Sequence, residues 1–529
     1  MRGKWKLNTE NKMILAVLFL VMAVSFFWCV KKSDMFIDEI CTYGLANSYY
    51  APFINDISED ADLVDKVLTQ EDIKEYLTVS GEDAFKFNSV YYNQTQDTQP
   101  PLHYLLLHFG CSIFQESYSK WIGLSINLIL YLITNILLYK ISIMILGSRK
   151  LSALAVLIYG LSYGGLSTVL MIRMYMLLTF LTMCFAYAAL KLYQGDKNKW
   201  YYPAITLILF CGMFTQYFFV WFAFFFSAIY FLRELKSGRW KDAMIYALFA
   251  FLGIGIFYGT YPCVIDQLFA DKLVSGKTAV ENVMDIPGML LSIYSFFMQM
   301  AASYKAACFL LVAAVAAGMF KLRENINLYI TKFDIKDSSC IALIAAVIFS
   351  VLFTAVVSPV TALRYIYNIL PLAALFFVYF IKLVSVNQKK YFGIATAICG
   401  ILCVGRSLYT EPEYVENVPK ENYDIVEAYS DLPCVYLNAN EKASLTQDML
   451  QLIEFKEVYI TNNFVSEKTK NYLEKMDTSE GIILYIDVSE EWGSGFDSEK
   501  ICNEIAENTE FETCELLCSF SFSETYLLR

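Results

Sequence analysis

Long apolar runs separated by short polar turns dominate most of the chain. A hydrocarbon core about 30 Å thick needs roughly 20 apolar residues per helix, and Met13–Val30 is the first run of that kind. Further runs lie at 119–146, 151–172, 174–193, 200–216, 217–232, 242–262, 303–320, 339–358, 362–383 and 391–408. The pattern predicts an all-α polytopic membrane protein with about 11 transmembrane helices. Arg2, Lys4, Lys6 and Lys12 precede the first run, which favours a cytoplasmic N-terminus. A cleaved signal peptide is the competing reading, but no small-residue cleavage site follows and many further spans do.

Residues 31–100 are polar and acid-rich, as a long loop on the far side would be. The positive-inside rule tests this topology. Arg149 and Lys150; Lys191, Lys197 and Lys199; Arg233, Lys236, Arg239 and Lys241; Lys321 and Arg323; and Lys382, Lys389 and Lys390 all fall in predicted cytoplasmic turns. Every such turn is basic. Pro101–Phe114 and Pro287–Met300 are apolar but short, and are expected as amphipathic interfacial helices.

Beyond the polar linker Glu411–Pro419 the period changes. Strand-like runs at Cys434–Leu437, Val458–Thr461, Ile482–Val488 and Cys514–Leu528 alternate with helical stretches at 444–453, 466–476 and 498–508. This predicts a small α/β domain. The expected organisation is a transmembrane domain over 1–408, with 31–118 its first extracytoplasmic loop and interfacial helix. An acidic extracytoplasmic α/β domain follows over 409–529.

Composition sharpens this. The chain of 529 residues is 57% hydrophobic and only 18% charged, with a mean hydropathy of +0.45. Soluble domains carry about 25% charged residues, so an ordinary soluble enzyme is excluded, as are disordered and collagenous chains. The net charge of −11 conceals two halves: residues 409–529 hold 26 Asp+Glu against 8 Lys+Arg, leaving 26 acids and 33 bases before them. No nucleic-acid partner is expected. Eight of the 14 cysteines lie inside apolar runs, where Cys behaves as a small hydrophobe. His103 and His108 are the only histidines and no CxxC pair occurs, so a zinc site is not expected. Cys434, Cys502, Cys514 and Cys518 could form disulfides, although Cys514 and Cys518 on one strand are too far apart to bridge easily.

Four charges stand where this topology penalises them. Asp38 and Glu39 follow the first span in MFIDEICTYGLANS, Arg173 sits between two spans in LMIRMYMLLTF, and Arg364 lies in SPVTALRYIYNILP. Carboxylates suit deprotonating or orienting a nucleophile. Arginines suit a phosphate, which they grip with parallel donors. The blander readings are a solvated loop pair and snorkelling anchors.

Taken in order, these motifs resemble a known family. The early Asp-Glu, the Pro100-Pro101-Leu102-x-Tyr104 stretch, the Arg173-Met174-Tyr175 step, the Thr215-x-Tyr217 turn and the Ser358-Pro359-x-x-x-x-Arg364-Tyr365 segment look like a polyprenyl-phosphate-sugar glycosyltransferase of the GT-C fold. In particular they resemble the protein O-mannosyltransferase and aminoarabinose transferase superfamily, including RgtA/B/C/D-like bacterial members. The resemblance covers roughly residues 10–410. It implies an outward-facing site in the cell membrane that takes a sugar from a polyprenyl phosphate. The sugar would pass with inversion to a glycan, lipid or protein acceptor. Asp38 would be the base, with Glu39 beside it; Arg173 and Arg364 would hold the donor phosphate, accompanied by Tyr175 and Tyr365. The family's His-Pro-Pro stands here as Gln99-Pro100-Pro101, with His103 following, and its Thr-His-Tyr as Thr215-Gln216-Tyr217. Glutamine can hydrogen-bond but cannot shuttle a proton, so Gln99 and Gln216 are expected to position substrate. No cofactor is required; a divalent cation between Asp38 and Glu39 is the alternative some relatives suggest. A transporter or flippase of lipid-linked saccharides, and a non-catalytic scaffold, are the competing functions. The paired internal repeats of many transporters are not visible.

Overall fold

The computed structural model describes residues 9–54, 63–269, 284–310, 312, 334–384, 389–439, 442–489 and 495–529. Two compact units emerge. The first comprises Met1–Val30, Thr98–His103 and Leu124–Glu413; the second comprises Lys31–Asp97, Tyr104–Gly123 and Tyr414–Arg529.

The first unit is helical. Among the described residues, seven helices are long and apolar enough to cross a membrane: Asn11–Lys31, Lys120–Leu146, Tyr175–Tyr193, Trp240–Thr260, Ile286–Ser303, Ile335–Val357 and Leu363–Leu383. An eighth span arises if Arg149–Gly160 and Tyr163–Leu170, bent by 59°, are counted together. The chain is therefore a multi-pass membrane protein, and the expected eleven spans are matched only in part. The run 200–216 yields the short helix Tyr201–Met213, followed by Phe219–Lys236. The run 391–408 becomes Lys389–Tyr409. Half of the run 303–320 lies outside the described residues.

Two differences from the sequence pattern have local causes. Ile286–Ser303 was expected as an interfacial piece, yet its length suits a span. Pro287 sits inside the first turn, where its missing N–H costs nothing, Asp285 caps the helix through Gly288 N, and the helix runs on past Met300. The run 151–172 breaks because Ser162 starts a new helix, its hydroxyl accepting from Gly165 N at 3.0 Å. Tyr131 donates to the Gly160 carbonyl exposed by the break (3.0 Å). A Cβ at Gly165 would overlap the Tyr159 carbonyl, so only glycine fits. Elsewhere Trp28 Nε1 donates to Ser407 O at 2.7 Å, tying the first helix to the helix Lys389–Tyr409. Tyr304 donates to Leu370 O at 2.6 Å, and Phe185 meets Phe219 and Phe222 edge to face.

The second unit is built on a six-stranded sheet: β1 (Lys66–Thr69), β2 (Cys434–Leu437), β3 (Glu457–Thr461), β4 (Ile482–Asp487), β5 (Cys514–Ser519) and β6 (Ser523–Leu528), in the order β1-β3-β2-β4-β6-β5. Strands β3, β2 and β4 are parallel, while β1, β6 and β5 add antiparallel edges. Every residue of β2 and β4 is buried, the pattern of strands covered on both faces. The expected α/β sheet is present, and its strand β1 comes from the segment 31–118 and pairs with β3, Lys66 opposite Ile460. Cys502, on the helix Ser498–Asn508, is disulfide-bonded to Cys514 on β5.

Candidate functional site

In the first unit, helix Tyr163–Leu170 ends just before Arg173 and helix Tyr175–Tyr193 begins just after it. A helix end leaves carbonyls without intrahelical partners. Buried Asn127 supplies them: its Nδ2 donates to Val169 O (3.1 Å) and Met171 O (2.7 Å). Arg173 N also donates to Met171 O (2.9 Å), so the backbone that carries the arginine is fixed.

The Arg364 segment forms the 3-10 helix Leu363–Ile369, packed against helix Tyr175–Tyr193. Tyr175 meets Tyr365 and Tyr367 edge to face, with ring centroids 6.4 and 6.1 Å apart. Tyr365 also meets Phe218 at 5.2 Å, and the Arg364 guanidinium lies 5.6 Å from the Tyr365 ring centre, within cation–π range. Three motifs far apart in sequence thus converge on one aromatic cluster. Arg173 and Arg364, on the segments that carry Tyr175 and Tyr365, are both half-buried.

The Thr215-Gln216-Tyr217 turn is held as tightly. Gln216 is buried and accepts from Phe218 N at 3.2 Å. Tyr217 donates to Gln267, whose Nε2 donates in turn to Tyr261 OH at 3.0 Å. Gln267 is a contributor that sequence reading missed; a buried glutamine in the helix Val264–Phe269 was the available signal. Leu102 N donates to Phe214 O at 2.9 Å, which joins the Pro-Pro segment to this turn. Gln99 Nε2 donates to Thr98 Oγ1 (3.1 Å), and His103 is buried.

Asp38 and Glu39 belong to the second unit, in the first turn of helix Ile37–Asn47. Asp38 is half-buried, and its carbonyl accepts from Thr42 Oγ1 at 2.7 Å. Glu39 is fully buried. Its Oε2 accepts from Phe36 N (2.8 Å), satisfying the N-cap backbone donor of the helix, and from Lys32 Nζ (2.7 Å). A carboxylate already bridged to an ammonium does not suit a divalent cation. Among the described residues no group of three or more His, Cys, Asp or Glu side chains is arranged to hold a metal.

Two further acids lie buried in this unit. Asp34 accepts from Met35 N (2.7 Å) and Gln451 Nε2 (3.3 Å), and burial pushes its pKa up to about 6. Asp448 accepts from Tyr436 OH (2.9 Å), and burial pushes it up to about 7.

The two units define a multi-pass helical membrane protein that carries a soluble-type α/β sheet. No family model and no curated protein matches the sequence. Solved structures do match, along nearly the whole chain. The crystal structure of ArnT from Cupriavidus metallidurans bound to undecaprenyl phosphate has a TM-score of 0.52 at 9% identity, covering 97% of this chain and 97% of that one. The apo form of the same protein has a TM-score of 0.50 at 9% identity, covering 98% of each. AglB, an oligosaccharyltransferase from Archaeoglobus fulgidus, in complex with an inhibitory peptide and a dolichol-phosphate, has a TM-score of 0.48 at 10% identity, over 92% of this chain and 70% of that one. The chain has the GT-C fold that it shares with ArnT.

Proposed function

We propose that this chain is an integral membrane glycosyltransferase that moves a monosaccharide from a polyprenyl-phosphate donor to an extracytoplasmic acceptor with inversion. The carrying observation is the end-to-end likeness to a protein crystallised with undecaprenyl phosphate. The reading places the protein in the cell membrane, with the N-terminus cytoplasmic and the α/β unit outside.

Displacing a phosphate from an anomeric carbon passes through an oxocarbenium-like state. The leaving phosphate gathers negative charge, and the chief need is a preorganised positive group to receive it. Arg173 and Arg364 take that role, each next to a tyrosine of the shared aromatic cluster. Asp38 takes the acceptor's proton as general base. Gln99, His103, Tyr175, Gln216, Tyr217 and Tyr365 position the donor, with no proton moved through either glutamine.

The test is a screen of undecaprenyl-phosphate-linked sugars with the purified full-length protein in lipid nanodiscs, each paired with hydroxyl-bearing glycan, lipid and peptide acceptors. One donor is expected to be consumed, releasing undecaprenyl phosphate and a product of inverted anomeric configuration. No consumption of any donor, together with movement of intact lipid-linked saccharides across vesicles, would overturn the reading.

A further inference from the structure

The first turn of the helix that carries Asp38 is anchored by several separate stretches of its own unit. Lys32 Nζ donates both to Glu39 Oε2 and to Tyr414 O, each at 2.7 Å, and both side chains of the ion pair have no solvent exposure. Lys120 Nζ donates to the Lys32 carbonyl. Ser33 Oγ lies 2.9 Å from both Glu416 O and Val418 O, which share its one proton, and Asp34 N donates to Glu416 O at 3.0 Å. Gln447 Nε2 donates to Met35 O at 2.6 Å.

A buried ion pair is a poor way to gain stability, because desolvating two charges offsets most of their attraction; a well-packed apolar pair often does as well. What such a pair does supply is a fixed register. Glu39 occupies the third position of the helix and closes its N-terminus. Whatever fixes Glu39 also fixes the first-turn backbone from which the Asp38 side chain departs.

We propose that Lys32 is a positioning residue for the transfer reaction: by clamping Glu39 against the Tyr414 carbonyl it sets the orientation of Asp38. Glu39 then acts through this clamp and does not touch substrate. The inference rests on Asp38 being the base.

The experiment compares Lys32→Met, Lys32→Arg, the double variant Lys32→Met/Glu39→Leu and Asp38→Asn in the full-length protein. The donor is an undecaprenyl-phosphate-linked hexose accepted by the wild type, and undecaprenyl phosphate is the binding probe. Misplacing a reacting group by about 1 Å costs up to about 10²-fold in rate. Lys32→Met should therefore lower kcat about 10- to 100-fold with KM and undecaprenyl phosphate affinity unchanged, and Lys32→Arg should restore most of it. The double variant leaves no unpaired buried charge, so it should recover thermal stability while kcat stays low. Should Lys32→Met not fold, the double variant carries the test. Wild-type kcat in the folded double variant, with Asp38→Asn inactive, overturns the positioning role alone. Wild-type transfer by Asp38→Asn overturns the base and this inference together.

Discussion

Tyr175 and Tyr365 meet edge to face, their ring planes at 76° and centroids 6.4 Å apart. Each belongs to a segment bearing an arginine, Arg173 on one side and Arg364 on the other. Under the proposed function both arginines serve one donor phosphate. A hydrogen bond to a charged group contributes about 1.5–3 kcal/mol, so Arg173→Ala and Arg364→Ala should each weaken undecaprenyl phosphate binding about 10- to 100-fold. A titration in nanodiscs measures this, and unchanged affinity in both variants removes them from the site.

Asp38→Asn preserves shape and removes the proton acceptor. General-base help is worth about 10²–10⁴-fold, so kcat should fall by that factor. Undecaprenyl phosphate affinity and melting temperature should stay near wild type, since no ion pair of the buried clamp is touched. Steady-state transfer assays on this variant decide the matter.

Asp34 and Asp448 give the α/β unit a pH signature. Both carboxyls are raised by burial from the ordinary 3.8, to about 6 and about 7. The folded state therefore binds more protons than the unfolded chain between those values. Stability is greatest at the acid end of this window and falls as pH rises from about 4 to about 7, by on the order of a few kcal/mol. Asp448→Asn should flatten that slope. Thermal unfolding of the wild type and the variant across pH 4.5–8 is the check, and equal slopes would contradict it.

The Cys502–Cys514 bond closes a short loop between a helix and the edge strand β5. Loops of this size give about 3 kcal/mol of stabilisation on chain-entropy grounds. Reductant, or Cys502→Ser, should lower the melting temperature of the α/β unit, and non-reducing peptide mapping should recover the linked peptides. An identical melt with and without reductant argues against a stabilising bridge.

Much of this was legible in the chain because apolar runs and strand-like runs are local signals. The stretches at Cys434–Leu437, Val458–Thr461 and Ile482–Val488 correspond closely to β2, β3 and β4. Strand β1 was not legible: four residues inside a polar loop, Lys66–Thr69, pair only through a partner supplied by β3. The bend at Gly160–Tyr163 was hidden by unbroken hydrophobicity, although Ser162, Gly164 and Gly165 are the residues that make it. The stretch Pro287–Met300 reads as too short to cross because the apolar run alone does not show that the helix continues to Ser303, which gives it the length of a span. At the candidate site, the charged residues stood out by their placement. Lys32 and Gln267 did not, since a flanking lysine and a lone glutamine gain meaning only from the atoms they reach.

The pairing of β1 with β3 also sets a schedule for biogenesis. Ribosomes add about 5–20 residues per second, so the segment Lys66–Thr69 waits about 20–80 s before Glu457–Thr461 has even been made. Through that interval the early segment exists without its neighbour, a bare strand edge of the kind that invites mispairing. The α/β unit can close only after the helices between its two halves have been synthesised. Closure of the sheet is therefore a late event, because β1 waits for a partner made about 390 residues further along the chain.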